Sequence, residues 1–112
     1  MKVTQSYLEK GWGDSIDEPS MEAIEVAIKE TLNMDDEHCV FWVGVYDEDD
    51  KQVIFEVTKY LRQSLNLNPD IMDPAMFNIK KSIAQNWDEV IENFRLLLDG
   101  QIDKIEQRLN QT

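Results

Sequence analysis

The chain has 112 residues, of which 42% are hydrophobic, and this composition is typical of one globular domain with a core of its own. It contains 23 acidic and 11 basic residues, which gives a formal net charge of −12. A field of this sign disfavours binding to nucleic acid or to an anionic membrane and favours a cationic partner, although net charge by itself also keeps a small protein soluble.

The negative charge is concentrated in the first half of the chain. Residues 1–56 contain 15 acids and 4 lysines, a net charge of −11, whereas residues 57–112 contain 8 acids and 7 basic residues, a net charge of −1. The single cysteine, Cys39, excludes an internal disulfide, which fits a reducing compartment. The N-terminus lacks the apolar segment of a signal peptide. We therefore expect a single domain, residues 1–112, in the cytoplasm.

The first third of the chain predicts a strand, a loop and a helix. Residues 2–9 alternate loosely and predict a strand. Residues 10–19 contain two glycines and a proline, which predict an irregular loop. Residues 19–34 predict a helix that Ser20 caps. The apolar positions of this helix that recur at steps of three and four residues are Met21, Ile24, Ile28 and Leu32.

The middle of the chain predicts a β-hairpin. Residues 39–46 are continuously apolar and aromatic, which indicates a central strand buried on both faces, with Trp42 in the core. Residues 51–61 alternate and indicate a second strand. The short acidic linker of residues 47–51 favours a hairpin connection between the two.

The last part of the chain predicts a loop over residues 62–74 and then helices. From Ala75 onward apolar residues return at helical spacing, with Asn86 or Asp88 as a new N-cap and Gly100 as a helix end or an interior glycine. The pattern leaves open whether residues 86–110 form one helix or two. The predicted fold is α+β in the order β-α-β-β-α-α: a small antiparallel sheet with helices packed on one face.

The acidic run at residues 47–50 does not fit a calcium-binding EF-hand loop. In that motif Lys51 would occupy a ligand position, Gln52 the required glycine, and Thr58 the bidentate glutamate. A solvated hairpin tip is the simpler interpretation. Zinc is disfavoured because the chain has one histidine and one cysteine, and a structural site needs three or four such ligands. We predict no metal and no cofactor.

Catalytic motifs are also missing from the sequence. His38 and Cys39 are adjacent at the start of a predicted strand, so their side chains point to opposite faces and cannot form a dyad. No nucleophile elbow, phosphate-binding loop or dinucleotide fingerprint is present. Carboxylates are plentiful, but their spacing selects no pair for hydrolysis. We therefore predict that the protein is not an enzyme.

Protein binding remains, and two groups of residues are the candidates. Trp12 stands between two glycines and is either folded onto the core or an exposed anchor beside Asp14 and Asp17. The second group is the acidic run of the predicted hairpin. It consists of Asp47, Glu48, Asp49 and Asp50. A further acidic run, residues 35–37, should lie about 25 Å away at the other end of the hairpin.

Residues 11–58 resemble the small acidic immunity proteins of bacterial contact-dependent inhibition and polymorphic toxin systems. The resemblance lies in "GW" ahead of the helix "PSMEAIEVAIKETL" and in the paired strands "VFWVGVY" and "QVIFEV". It implies a cytoplasmic protein that binds and neutralises one cognate toxin domain, often a nuclease with a basic cleft. An acidic surface would occupy such a cleft where phosphates otherwise bind.

Two alternatives of another class stay open at this point. One is a small enzyme or ligand-binding domain with carboxylates around a pocket, which would require a concave site with a perturbed pKa. The other is an adaptor subunit that uses an exposed face of the last helix. The sequence does not specify the toxin, the binding surface or the oligomeric state.

Overall fold

The computed structural model describes residues 1–76 and 78–110, and in this part of the chain an antiparallel sheet carries three α-helices. The strands are β1 (Gln5–Lys10), β2 (Ser15–Asp17), β3 (Val40–Tyr46), β4 (Gln52–Thr58), β5 (Arg62–Asn66) and β6 (Ile79–Ile83). The helices are α1 (Met21–Leu32), α2 (Trp87–Leu98) and α3 (Ile102–Asn110), and a single 3₁₀ turn covers Pro74–Met76. The predicted α+β class is confirmed.

The strands follow the order β2-β1-β3-β4-β5-β6 across the sheet. The predicted hairpin is present: β3 pairs with β4 from Val40 opposite Thr58 to Tyr46 opposite Gln52. The predicted element order, however, omitted three strands. β2 and β5 fall in segments that we predicted to be loops, and β6 falls where we predicted a helix.

Each omission has a physical reason. β2 has three residues at the edge of the sheet, too few to show alternation. β5 places a polar residue, Gln63, on its buried side. In β6, Ile79 and Ile83 are four positions apart. This spacing is typical of one face of a helix, but because it is a multiple of two it also puts both residues on one face of a strand. Their partners in β5, Asn66 and Arg62, show that both point away from the helices.

All three helices cover one face of the sheet, and the core lies between. The inward residues of β3 and β4 are fully or almost fully buried: Phe41, Val43, Val45, Val53, Phe55 and Val57. Phe94 of α2 stacks on Phe41 with ring centroids 5.1 Å apart and meets Phe55 edge-on at 4.9 Å. These contacts dock α2 on the centre of the sheet.

Two packing predictions from the sequence are wrong. Leu32, assigned to the buried face of α1, is 45% exposed, while Ala27 and Thr31 are buried instead. Trp42 is not in the core: it is half-buried on the side of β3 opposite the three described helices. Alternate residues of a strand point to opposite faces, so a continuously apolar strand does not require burial on both sides.

Residues 86–110 form two helices. Asn86 caps α2, since its Oδ1 accepts the N–H of Glu89 at 2.9 Å. Gly100 ends that helix with φ +75°, and the N–H of Gln101 returns to the carbonyl of Leu96 at 2.9 Å. This is the helix-ending arrangement that favours glycine. Of the two N-cap candidates left open by the sequence, Asn86 is the one used, and of the two roles left open for Gly100 it has that of the helix end.

A polar network joins β5, α2 and α3 inside the core. Asn93 is fully buried, and its Nδ2 donates to Oε1 of Gln63 at 2.9 Å. Its Oδ1 accepts from Nε of Arg108 at 2.6 Å. Nε2 of Gln63 donates to Oγ of Ser82 at 3.0 Å. Both Asn93 and Gln63 are therefore paired, as buried amides must be.

Candidate protein-binding surfaces

Trp12 lies in the turn between β1 and β2, half-buried and outside the core. The turn is closed by the N–H of Lys10, which donates to the carbonyl of Asp14 at 2.8 Å. The Lys10 ammonium lies 5.8 Å from the Trp12 ring centroid and is 2.7 Å from Oε1 of Glu30 in α1. Trp12 is thus contacted by a lysine that is itself anchored to α1, and its side chain stays partly exposed.

An acidic edge borders this turn. It consists of Asp14, Asp17, Glu18, Glu22 and Glu25, all exposed. β2 is the outermost strand, and α1 begins directly after it with Ser20 as the N-cap. The Lys10–Glu30 pair places the last turn of α1 beside the end of β1, so α1 runs along this edge of the sheet. Among the described residues, none of the five carboxylates has a hydrogen-bond or ion-pair partner.

The hairpin tip, residues 47–51, is a tight turn built by its first residue. Oδ1 of Asp47 accepts the N–H of Asp49 at 2.9 Å and that of Lys51 at 3.0 Å. Glu48 lies 2.7 Å from the ammonium of Lys2. Asp47 therefore has a structural role that the sequence pattern did not show. The carboxylates of Asp49 and Asp50 are exposed and make no contact of this kind within the described residues.

The structure brings only part of the predicted binding set together. Trp12, Asp14 and Asp17 share the β1–β2 hairpin. The hairpin tip lies at the opposite end of the strands, because Lys10 pairs with Phe41 at the start of β3 while the tip follows Tyr46. The candidates form two separate surfaces.

The acidic run at residues 35–37 lies at the far end of the β3–β4 hairpin from the tip, as expected, but it is engaged locally. Asp36 accepts a hydrogen bond from the Tyr60 hydroxyl and lies 3.2 Å from the Lys59 ammonium. The Tyr60 hydrogen bond, followed by Lys59, holds the pKa of Asp36 below its usual value. Asp35 lies 2.8 Å from Nδ1 of His38. This run has fewer free carboxylates to offer a partner than the acidic edge.

The open face of the sheet, the side on which the described part of the chain has no helix, is a surface that the sequence analysis missed. Its large apolar residues are Tyr7, Trp42, Tyr46, Ile54, Ile79 and Ile83, and its charged residues are Glu9, Asp17, Glu56, Arg62 and Lys81. A shallow groove of about 760 Å³ runs across it from Trp42 to β6. The sequence pattern that could have indicated this face is the alternation of small, aromatic and charged residues in β3 and β4.

Glu56 is the one carboxylate among the described residues that line this groove. Burial raises its pKa, and the nearby Lys81 ammonium opposes part of that rise. A concave site with a perturbed acid is therefore present, but the converging carboxylates that acid–base hydrolysis requires are not found among its described lining residues. The other charged residues of the lining are the bases Arg62 and Lys81.

Other kinds of site find little support in the described residues. Those at 1–76 and 78–110 contain no group of three or more His, Cys, Asp or Glu side chains placed to hold a metal ion. Within the same residues, no helix has the length and apolar character needed to span a membrane. The apolar side of α3 is turned inward, with Ile105 and Leu109 buried, so this helix presents no apolar stripe to a partner.

Comparison with known proteins gives no relative: no family model, no curated protein and no solved structure matches the chain.

Proposed function

We propose that this protein is an immunity protein: a non-enzymatic inhibitor that binds a cationic toxin domain, such as a nuclease, and blocks its substrate cleft. The observation that carries the proposal is the acidic edge, with five exposed carboxylates that have no partner among the described residues and a half-buried Trp12 at its end. Unpaired carboxylates held by a hairpin and a helix are suited to occupy a cationic cleft in the place of phosphates. The resemblance noted from the sequence supports the same class.

The geometry favours the acidic edge over the hairpin tip as the docking surface. The edge combines charge with an aromatic side chain, which is the combination found at interface hot spots. At the tip, Asp47 is used to hold the turn and Glu48 is near Lys2. Trp12, Asp14 and Asp17 would then form the anchor, with residues 47–50 as a second contact for a partner large enough to reach both ends.

The test compares two sets of three neutralising substitutions in binding to the toxin domain encoded next to this gene. The edge set is Asp14→Asn, Glu22→Gln and Glu25→Gln; the tip set is Glu48→Gln, Asp49→Asn and Asp50→Asn. Asp50 has φ +59°, which asparagine tolerates. The edge set should slow association about 10- to 100-fold and flatten its dependence on salt, because electrostatic steering raises association rates by up to about 10³.

Both sets change the net charge equally, so a general charge effect would slow both alike. An edge set that binds as fast as the wild type, with a tip set that does not, would move the docking surface to the tip. The absence of any complex at micromolar concentration, or of a toxin gene beside this one, would reject the proposed function itself.

A further inference from the structure

The centre of the open face is apolar and aromatic, unlike the outside of an ordinary solvated sheet. The Tyr7 ring lies directly over Gly44, where a Cβ would overlap it, and its centroid is 6.1 Å from that of Tyr46. Trp42 and Ile54 are half-buried beside them, and Ile83 at the far edge is 64% exposed. An aromatic centre with a polar rim is the anatomy of a protein–protein interface.

The charges of the open face nearly cancel, although the chain as a whole carries −12. The outward-pointing strand residues include three acids, Glu9, Asp17 and Glu56, and two bases, Arg62 and Lys81. The excess negative charge therefore lies on α1, on the loops and on the hairpin tip. Two copies of this protein repel each other less across the open face than across those surfaces.

These charges are also ordered across the sheet. Both acids outside the groove belong to β1 and β2, and both bases belong to β5 and β6 at the other side. Glu9 and Lys81 even share one cross-strand row, in which Glu9 neighbours Trp42, then Glu56, Ser64 and finally Lys81. The β2–β1 side of the face is therefore negative and the β5–β6 side is positive, with Glu56 of β4 between them.

We infer that the open face is a homodimer interface whose two-fold axis runs parallel to the strands. Rotation about that axis lays the β2–β1 half of one copy over the β5–β6 half of the other, so that Glu9 faces the Lys81 region of its partner on both sides. A two-fold axis across the strands would instead lay the β2–β1 half on itself and the β5–β6 half on itself, so that acids face acids and bases face bases. Face-to-face packing of aligned sheets is a common arrangement, and a self-complementary patch is what two-fold symmetry requires.

The size of the face sets the expected strength of the dimer. Six strands about 4.8 Å apart, three to seven residues long, cover roughly 25 by 20 Å. This footprint is on the order of 500 Å² when the face is treated as flat. It lies at the small end of specific interfaces. The dimer is therefore reversible, and its dissociation is measurable by sedimentation at protein concentrations from roughly 10 to 500 µM.

The test is a charge exchange between the two halves, followed by analytical ultracentrifugation of the full chain. Lys81→Glu and Glu9→Lys should each weaken dimerisation at least about tenfold, because each places like charges opposite one another twice in the dimer. The double variant reverses both charges and should restore dimerisation to near the wild-type value. Lys81 and Glu9 are both exposed, so the variants should remain folded, which circular dichroism checks.

Matched controls distinguish an effect of the open face on dimerisation from an effect of the net charge. Lys104→Glu on α3 and Glu25→Lys on α1 make the same charge changes at exposed positions away from the face and should leave dimerisation unchanged. Ile83→Asn, which removes an exposed apolar side chain, should weaken it without a change of charge. A wild-type chain that stays monomeric throughout, as it would if this face served another protein or a small ligand, overturns the inference.

A dimer that responds to the controls as strongly as to the face variants, or that the double variant fails to restore, overturns it as well. The measurement contains no toxin and depends on none of the three edge substitutions, so its result is independent of the proposed function. Asp17 belongs to both the acidic edge and the open face and is left unchanged in both experiments.

Discussion

The two faces of the sheet are made by alternate residues of the same strands, yet they differ in almost every physical respect. On β4, Val53, Phe55 and Val57 point to the helices and are at most 5% exposed. Their neighbours Ile54 and Glu56 point the other way and are half-buried. The helix side is closely packed and apolar, whereas the open side mixes aromatic rings with opposite charges. The helix side forms the core that stabilises the fold, whereas the open side is available for contacts with other molecules.

The largest effect should separate the faces at adjacent positions. Phe55→Ala should lower the free energy of unfolding by about 3–5 kcal/mol, because it removes a fully buried ring and leaves a cavity beside Phe94. Ile54→Ala should cost only about 1 kcal/mol, since its side chain already contacts water in the native state. Urea denaturation, at a protein concentration below the self-association range, measures both. Equal costs would mean that the open face is packed as closely as the core.

An intermediate effect concerns the contact between Tyr7 and Gly44. Gly44→Ala should cost about 1–2 kcal/mol, because the new methyl group overlaps the Tyr7 ring and forces it to move. If the open face can adjust, removing the ring should relieve this cost. The double variant with Tyr7→Ala should then be more stable than the sum of the two single changes implies, by about 1 kcal/mol. Strict additivity in the same urea series would show that the ring is not what Gly44 accommodates.

The smallest effect is the pH dependence that Glu56 contributes. Burial raises the pKa of Glu56, with Lys81 opposing, so the native state holds this proton more tightly than the unfolded chain does. Wild-type stability should therefore fall as pH rises from the unfolded pKa through the raised native pKa, and Glu56→Gln should lose that slope. The stability of the variant relative to the wild type should therefore rise as the pH increases above about 4, where glutamate in the unfolded chain begins to ionise.

That gain is measured by urea denaturation as the difference in the free energy of unfolding between the variant and the wild type at each pH. Taking the difference cancels the contributions of the other titrating groups. If the stability of the variant relative to the wild type instead falls as pH rises, the ionised Glu56 is stabilised by Lys81 more than it is destabilised by burial. The open face would then be electrostatically closer to an ordinary exposed surface than to a partly buried one.

Much of the fold was predictable from the sequence where one periodicity dominates. The hairpin of β3 and β4 and the Ser20 cap of α1 follow from local patterns and have the predicted roles, whereas for Gly100 the pattern left two roles open, of which it has that of the helix end. β6 was not predictable in this way, because Ile79 and Ile83 satisfy helical and strand spacing equally. Only pairing with β5, a contact between distant parts of the chain, decides between the two.

The candidate surfaces were predictable to a smaller extent. Charge and glycine context indicated Trp12, Asp14 and Asp17, and the structure places them on one hairpin. The role of Asp47 in closing its turn depends on side-chain geometry that composition does not show. The open face could not be recognised before the strand register was known, since Glu9 and Lys81 are 72 positions apart in the chain and share a row only through four successive strand pairings.

The amide network around Asn93 has a consequence for how the helices sit on the sheet. Apolar contacts are non-directional, so leucine and phenylalanine alone would tolerate α2 shifted by one turn, about 5.4 Å. Such a slide would detach Asn93 from both Gln63 and Arg108, and each buried polar group left without a partner costs about 1–3 kcal/mol. Three side chains on three elements thus select a single alignment of the helical layer over the strands.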